Sequence, residues 1–399
     1  MLMKTTLLAA AFMLLLIVPA STLHANAQTS GQSYSITGAG STFIFPLMDT
    51  WRVQYNNLHS NIKLNYQSIG SGAGINLLEK KTVDFAASDA PLQPDEEAKA
   101  PGVLTIPDSL GGITISYNIP GVAKGLKLTG PVIAKIFMGT ITTWNDPAIT
   151  QLNPGINLPN QKILIAHRAD GSGTTYAFTD YLSKVSTDWK NQVGQGKVVP
   201  WPVGTGAQGN AGVADIVKTT PYACGYVELA YAYQNNFTYA YVQNADGNAY
   251  VEPTIASVAA DAAQAGSNLP PADGDWSKVS IVNQPGANSY PISTLTYIMV
   301  YKDMGQISGE TPGRAAQVVD FLNWIIGDGQ QYATSLLYVP LPDSIKKIDQ
   351  QGLAEIQFNG SAVSAVPEFG PVAALVLAVA VGSIILVSSR TGLKLAPKL

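Results

Sequence analysis

From residue 34 onward, short apolar runs alternate with segments of helical periodicity, and this limits the chain to an α/β architecture. SYSITGAG reads as a strand that runs into glycines. Ile44, Leu47, Met48, Trp51 and Tyr55 follow at helical spacing, so they mark one face of a helix. Pro46 falls in its first turn, where a missing N–H costs nothing. IKLNYQSI reads as the next strand, SGAG as a turn, INLLEKK as a short helix and VDFAAS as another strand. ITISYNIP, KILIAHR and LTYIMVY also read as strands, and Phe178, Tyr181, Leu182 and Val185 mark a further helical face. A chain of 399 residues is too long for one ordinary core, so two lobes are expected.

The two ends read differently from the body. Residues 1–27 have a basic start at Lys4, an apolar stretch from Leu7 to Val18 and an Ala25-Asn26-Ala27 exit, the pattern of a secretory signal peptide. Residues 353–366 are small and polar and read as a linker. Phe369 to Ser389 contains no charged residue and is followed by Arg390, Lys394 and Lys398. That length suffices to span a bilayer, and the basic end fits a cytoplasmic tail.

Of 23 basic and 27 acidic side chains, four basic ones and Glu368 lie in the two ends, which leaves 19 and 26 in residues 28–366, a net charge of −7. No basic stripe exists to neutralise phosphodiesters, so nucleic acid is excluded as a partner. The one cysteine, Cys224, cannot form an intrachain disulfide and reads as a small buried apolar residue. Asn236-Phe237-Thr238 and Asn359-Gly360-Ser361 are isolated glycosylation sequons.

Four stretches share one design, a strand ending in small residues beside polar groups: GAGSTF (38–43), IGSGAGI (69–75), FAASDAP (85–91) and RADGSGTTYAF (168–178). Backbone N–H groups at a helix start are unpaired and attract anions, glycines admit the anion to the backbone, and hydroxyls add donors. Three such helix starts and Arg168 would make an anion site inside an acidic chain. Taken singly, a stretch such as GAGSTF reads first as a loop with a helix cap, Asp89 alone reads first as a turn cap, and Asp170 could cap the next helix in the same way. The Arg168–Asp170 spacing also suits a salt bridge that fixes the guanidinium. His167 adjoins Arg168 and would face the other side of the strand, a packing position.

Enzyme chemistry finds little support. Beyond residue 27 there are two histidines, His59 and His167, and one cysteine, with no His–Cys metal spacing, HExxH, GxSxG or GxxxxGK[ST]. No metal or other cofactor is expected.

Together with TVDFAASDAP, ITTWNDPAITQLNPG, GNAGVADIV, GYVELAYAYQNN and LPDSI, the four stretches resemble the PstS family, the phosphate-specific substrate-binding proteins of ABC importers. The likeness covers roughly residues 36 to 348. It implies a type II periplasmic-binding-protein fold, two α/β lobes around an anion-binding cleft. Residues 28–118 plus 290–352 would form lobe I, and residues 119–289 lobe II. By motif, Ser41, Thr42, Phe43 and Ser71 would donate to phosphate, and Asp89 would accept a proton from it. Arg168, oriented by Asp170, would supply the charge, and Ser172, Gly173 and Thr174 would donate from the helix start. An ABC permease is the implied partner. Pro367-Glu368-Phe369-Gly370 resembles the PEFG sorting signal of ammonia-oxidising archaea, which implies an archaeal, surface-attached protein and an archaeosortase acting on the segment 367–399. The alternatives are a receptor for sulfate, tungstate or phosphonate, a secreted phosphatase, and a surface adhesion protein reusing the fold.

Overall fold

The computed structural model describes residues 32–265 and 269–363. The expected signal peptide, the PEFG motif, the apolar run and the basic tail therefore lie outside the described residues.

In chain order the elements that build the site are β1 (Tyr34–Gly40), α1 (Phe45–Leu58), β2 (Ile62–Ser68), α2 (Ser71–Glu79), β3 (Phe85–Ser88), α3 (Pro94–Lys99) and β4 (Val103–Tyr117). Then come β5 (Leu164–Arg168), α4 (Gly173–Val185), β6 (Thr205–Ala207), α5 (Gly209–Thr219), β7 (Ala223–Glu228), α6 (Leu229–Gln234) and β8 (Thr238–Tyr239). β9 (Ser293–Tyr301), α7 (Pro312–Ile326) and α8 (Asp343–Ala354) complete the set. The strands form one continuous path, β2-β1-β3-β9-β4-β7-β5-β6, with β8 also on β4. β1 runs parallel to β2 and β3, and β5 runs parallel to β6 and β7. β4 and β9 are antiparallel to their neighbours.

β4 is the strand that joins the two halves. Val103 to Gly112 pair with β9, whereas Ile113 to Tyr117 pair with β7. One half-sheet, β2-β1-β3-β9-β4, carries α1, α2, α7 and α8 (lobe I); the other, β4-β7-β5-β6, carries α4, α5 and α6 (lobe II).

The helical faces follow the apolar spacing. Ile44, Leu47, Met48, Trp51 and Tyr55 are all buried along α1, with Trp51 Nε1 donating to the Gly329 carbonyl at 2.7 Å. Phe178, Tyr181 and Leu182 are buried along α4, and Phe178 stacks on Tyr226 with centroids 4.5 Å apart. His167 stacks on Trp201 at 4.8 Å, a packing role. Cys224 is buried, and burial pushes its thiol up to about 12.

Three stretches differ from expectation. SGAG is the first turn of α2 rather than a loop: Gly70 supplies the cap at φ +94°, and a Cβ on Gly74 would stand 2.4 Å from the Gly40 Cα. The strand read at ITISYNIP begins ten residues earlier, because β4 tolerates Pro107 beside a bulge opposite Thr296 and Tyr297. The stretch read as a linker from residue 353 is ordered through Val363: α8 ends at Ala354, Leu353 and Ile356 are buried, and Gln357–Phe358 pairs with Ser361–Ala362 as a hairpin.

Candidate functional site

The carboxyl ends of β1 and β3 and the starts of α1 and α2 meet the end of β5 and the starts of α4 and α5. Small residues make this approach possible. A Cβ on Gly173 would lie 2.6 Å from the Asp89 backbone nitrogen, and the Gly72 N–H donates to the Gly171 carbonyl at 2.8 Å.

Asp89 is the centre of the cluster. Its Oδ1 accepts the Ser41 hydroxyl in a short contact, and its Oδ2 accepts the Thr174 hydroxyl at 3.1 Å. Ser71 Oγ accepts the N–H groups of Gly173 at 3.1 Å and of Asp89 at 3.4 Å. Ser41, Ser71 and Asp89 come from lobe I, whereas Gly173 and Thr174 come from lobe II. Burial pushes the Asp89 carboxyl up to about 6, and the Ser41 hydroxyl, the Arg168 charge and Thr174 oppose that rise.

Arg168 ends β5 and is 3 % exposed. Its Nε donates to Asp170 Oδ1 at 2.7 Å, its Nη2 meets Asp170 Oδ2 in a short contact, and its Nη1 reaches Thr174 Oγ1 at 3.4 Å. Burial raises the Asp170 pKa, but the Arg168 bonds and charge, with the Gly209 N–H, hold the carboxyl below its ordinary value. The guanidinium is therefore a fixed charge rather than a swinging arm.

Thr42 Oγ1 accepts both the backbone N–H of Asn210 at 3.0 Å and its side-chain amide at 3.1 Å. The Phe43 N–H donates to Ser41 Oγ at 3.0 Å. Ser172 caps α4, its hydroxyl oxygen accepting the Thr175 N–H at 3.0 Å. Its own N–H is taken by the Lys197 carbonyl at 3.0 Å. Ser41, Thr42, Phe43, Ser71, Asp89, Arg168, Ser172, Gly173 and Thr174 are all buried, and Asp170 is half-buried.

The structure adds residues to which sequence reasoning assigned no role. Asn210, fully buried, bonds Thr42 and Thr174 at once and accepts the Glu228 N–H at 3.1 Å. It lies in the quoted stretch GNAGVADIV, but an asparagine there reads as an ordinary helix-start residue. Three tyrosines hold the carbonyls of the 41–43 turn: Tyr66 donates to Ser41, Tyr231 to Thr42 and Tyr338 to Phe43, at 2.8, 2.8 and 2.6 Å. With its carbonyls tied back, the turn keeps its hydroxyls toward Asp89 and Asn210. Tyr226 accepts the Arg168 N–H at 3.1 Å and bonds Thr175 at 2.6 Å.

The cluster offers aimed donors, one fixed cation and one acceptor carboxylate. Among the described residues no group of three or more His, Cys, Asp or Glu is placed to hold a metal ion. No helix among them is long and apolar enough to cross a membrane, and the run 369–389 lies outside them.

Known proteins resemble this chain in sequence and in fold. The PBP superfamily domain profile matches residues 24–328. The phosphate-binding protein PstS of Xylella fastidiosa is 43 % identical over 322 residues, covering 79 % of this chain and 84 % of the relative. The protein of that name from Methanocaldococcus jannaschii is 35 % identical over 328 residues, covering 78 % and 84 %. A high-affinity periplasmic phosphate-binding protein solved with phosphate superposes with a TM-score of 0.61 at 21 % identity, covering 83 % of this chain and 96 % of that one. A phosphate ABC transporter substrate-binding protein from Clostridium perfringens gives 0.56 at 19 %, covering 77 % and 100 %. These superpositions establish the two-lobed type II periplasmic-binding-protein fold. With these identities maintained over most of both chains, the protein belongs to the PstS family of phosphate-binding proteins.

Proposed function

We propose that the protein captures inorganic phosphate between its lobes and delivers it to an ABC importer, performing no chemistry on it. The observation that carries this reading is Asp89, a buried acceptor among donors and beside the fixed Arg168 charge. An ionised carboxylate accepts a hydrogen bond from an anion that still bears a proton and repels one that does not. Sulfate is disfavoured on that ground. Ser41, Thr42, Phe43, Ser71, Gly173, Thr174 and Arg168 would bind the oxygens, with Asp170 and Asn210 holding the donors in place. Ser172 would act through its cap of α4, since its N–H is engaged. The lobes, taken as residues 28–118 plus 290–352 and 119–289, would close over the ion by bending at β4 and at the entry to β9. Calorimetric titration with phosphate, and separately with sulfate, tests the reading. Tight phosphate binding with sulfate at least a thousandfold weaker is expected, and equal binding of the two would end it.

In the same reading the protein is exported by the 1–27 segment and attached at an archaeal cell surface through residues 367–399. The PEFG motif would be recognised by an archaeosortase. Mass spectrometry of the surface-extracted protein decides this point. A C-terminus near Pro367–Gly370 supports sorting, and intact peptides from Thr391–Leu399 on most molecules leave a plain membrane anchor.

A further inference from the structure

Lys197 stands in the loop between Thr187–Gln192 and β6, outside every motif by which the chain resembles its family. Its ammonium crosses to lobe I. It meets the Glu96 carboxylate in a short contact and donates to the Pro91 carbonyl at 3.3 Å. The two side chains are 9 % and 16 % exposed. Both are also tied locally to the site. The Lys197 carbonyl takes the Ser172 N–H at 3.0 Å, at the start of α4. Glu96 Oε2 accepts the Gln93 N–H at 2.9 Å and so closes the capping box of α3, the helix that follows the Asp89 turn. One contact thus links the two backbone segments that flank Asp89 and Gly173. A second polar contact lies alongside it, from Gln93 Nε2 to Tyr176 Oη at 3.3 Å.

We propose that Lys197 and Glu96 form an inter-lobe latch that sets how long a bound anion is retained, without touching it. The pair has two natural states. Closed, each charge is desolvated and compensated by the other, the ammonium also by the Pro91 carbonyl and the carboxylate by the Gln93 N–H; open, each returns to water. Removing one partner leaves the other buried and unpaired only in the closed form, so a single loss shifts the balance toward opening. Residence time then falls, while the encounter rate, set by the open cleft, stays nearly constant. Charge at these two positions would be a retention control separate from the specificity set by Asp89.

The proposal rests, for its kinetics, on the cleft being a phosphate site, so the test has one arm that needs no ligand. Leu58 and Tyr233 are exposed on different lobes. Spin labels on Leu58→Cys and Tyr233→Cys report the inter-lobe distance by pulsed electron resonance. In the unliganded protein, Glu96→Gln and Lys197→Met are each expected to shift the distribution to longer separations, and Lys197→Glu/Glu96→Lys to restore it. Stopped-flow with phosphate should show dissociation about tenfold faster in either single variant, with association changed less than about twofold. The double variant Glu96→Gln/Lys197→Met should be no worse than either single one. Glu96→Gln is nearly isosteric and stands in if Lys197→Met does not fold. An unchanged distance distribution in Glu96→Gln overturns the latch, whether or not phosphate binds. A wild type that closes but does not titrate with phosphate would instead remove the phosphate reading and leave the latch standing.

Discussion

Arg168 and Asp170 grip each other as a two-pronged fork on a carboxylate, with side chains 2 % and 8 % exposed. Nε and Nη2 are committed to the aspartate, which leaves Nη1 to point past Thr174 into the cluster. The pairing turns a long flexible residue into a donor of defined direction. Lysine cannot reproduce it, because an ammonium has neither the plane nor the fork. Arg168→Lys should therefore weaken phosphate binding at least tenfold, about 1.4 kcal/mol. Titration of the variant within twofold of wild type would place Arg168 outside the site.

Asp89 should set the choice between anions. Around neutral pH phosphate bears a proton and sulfate does not, so the carboxylate bonds one and repels the other. An uncompensated buried charge of this kind costs several kcal/mol, on the order of a thousandfold or more in affinity. Asp89→Asn should leave phosphate affinity modestly changed and raise sulfate affinity strongly. Paired titrations at fixed pH and salt give the ratio, and a ratio that does not move would make Asp89 only the acceptor of Ser41 and Thr174.

Gly173 should be intolerant of even one carbon. The Cβ of an alanine would sit 2.6 Å from the Asp89 backbone nitrogen across the cleft, a clash with main chain that no rotamer relieves. Gly173→Ala should fold normally, since alanine suits a helix start and each lobe is unaffected. It should lose phosphate affinity by more than about a hundredfold because closure is blocked. Wild-type affinity at a normal melting temperature would show that the lobes do not need to approach this closely.

Asp349 gives a pH dependence opposite to ordinary acid unfolding. It is fully buried on α8 with no hydrogen bond from the described residues to either carboxylate oxygen, and burial, with the Asp108 charge second, pushes it up from 3.8 to about 9. A folded-state value above the unfolded one means stability present below about pH 4 and lost as pH rises toward 9. Asp349→Asn removes that loss. The melting-temperature difference between variant and wild type should widen steadily from pH 5 upward. Between pH 5 and pH 9 the variant should gain more than about 2 °C on wild type, an effect of roughly 1 kcal/mol or more for a chain of this size. A constant difference at both pH values would assign Asp349 an ordinary ionised state.

How far the molecule could be read in advance depends on the range of each signal. The face of α1 was legible because Ile44, Leu47, Met48, Trp51 and Tyr55 repeat at the period of the helix they form. The ends of β1, β3 and β5 were legible because small residues and hydroxyls cluster where a strand meets a helix. The first half of β4 was not, since Pro107 and Gly111-Gly112 mimic a loop and only pairing with β9 makes that stretch extended. Lys197 and Glu96 are 101 positions apart and carry no local pattern. The three tyrosines that hold the 41–43 turn come from residues 66, 231 and 338, brought together only by the finished fold.

The place of β9 in the sheet has a consequence for synthesis. It lies between β3 and β4, yet Ser293 follows Tyr117, the end of the later of the two, by 176 positions. Until β9 is made, the first half-sheet is split between β3 and β4, whose facing edges are unpaired. Lobe I cannot complete itself as it emerges, although its first strands are among the earliest made, and its folding must be late and non-local. A chain truncated before residue 293 would expose two hydrophobic strand edges side by side, the geometry most prone to pair with another copy.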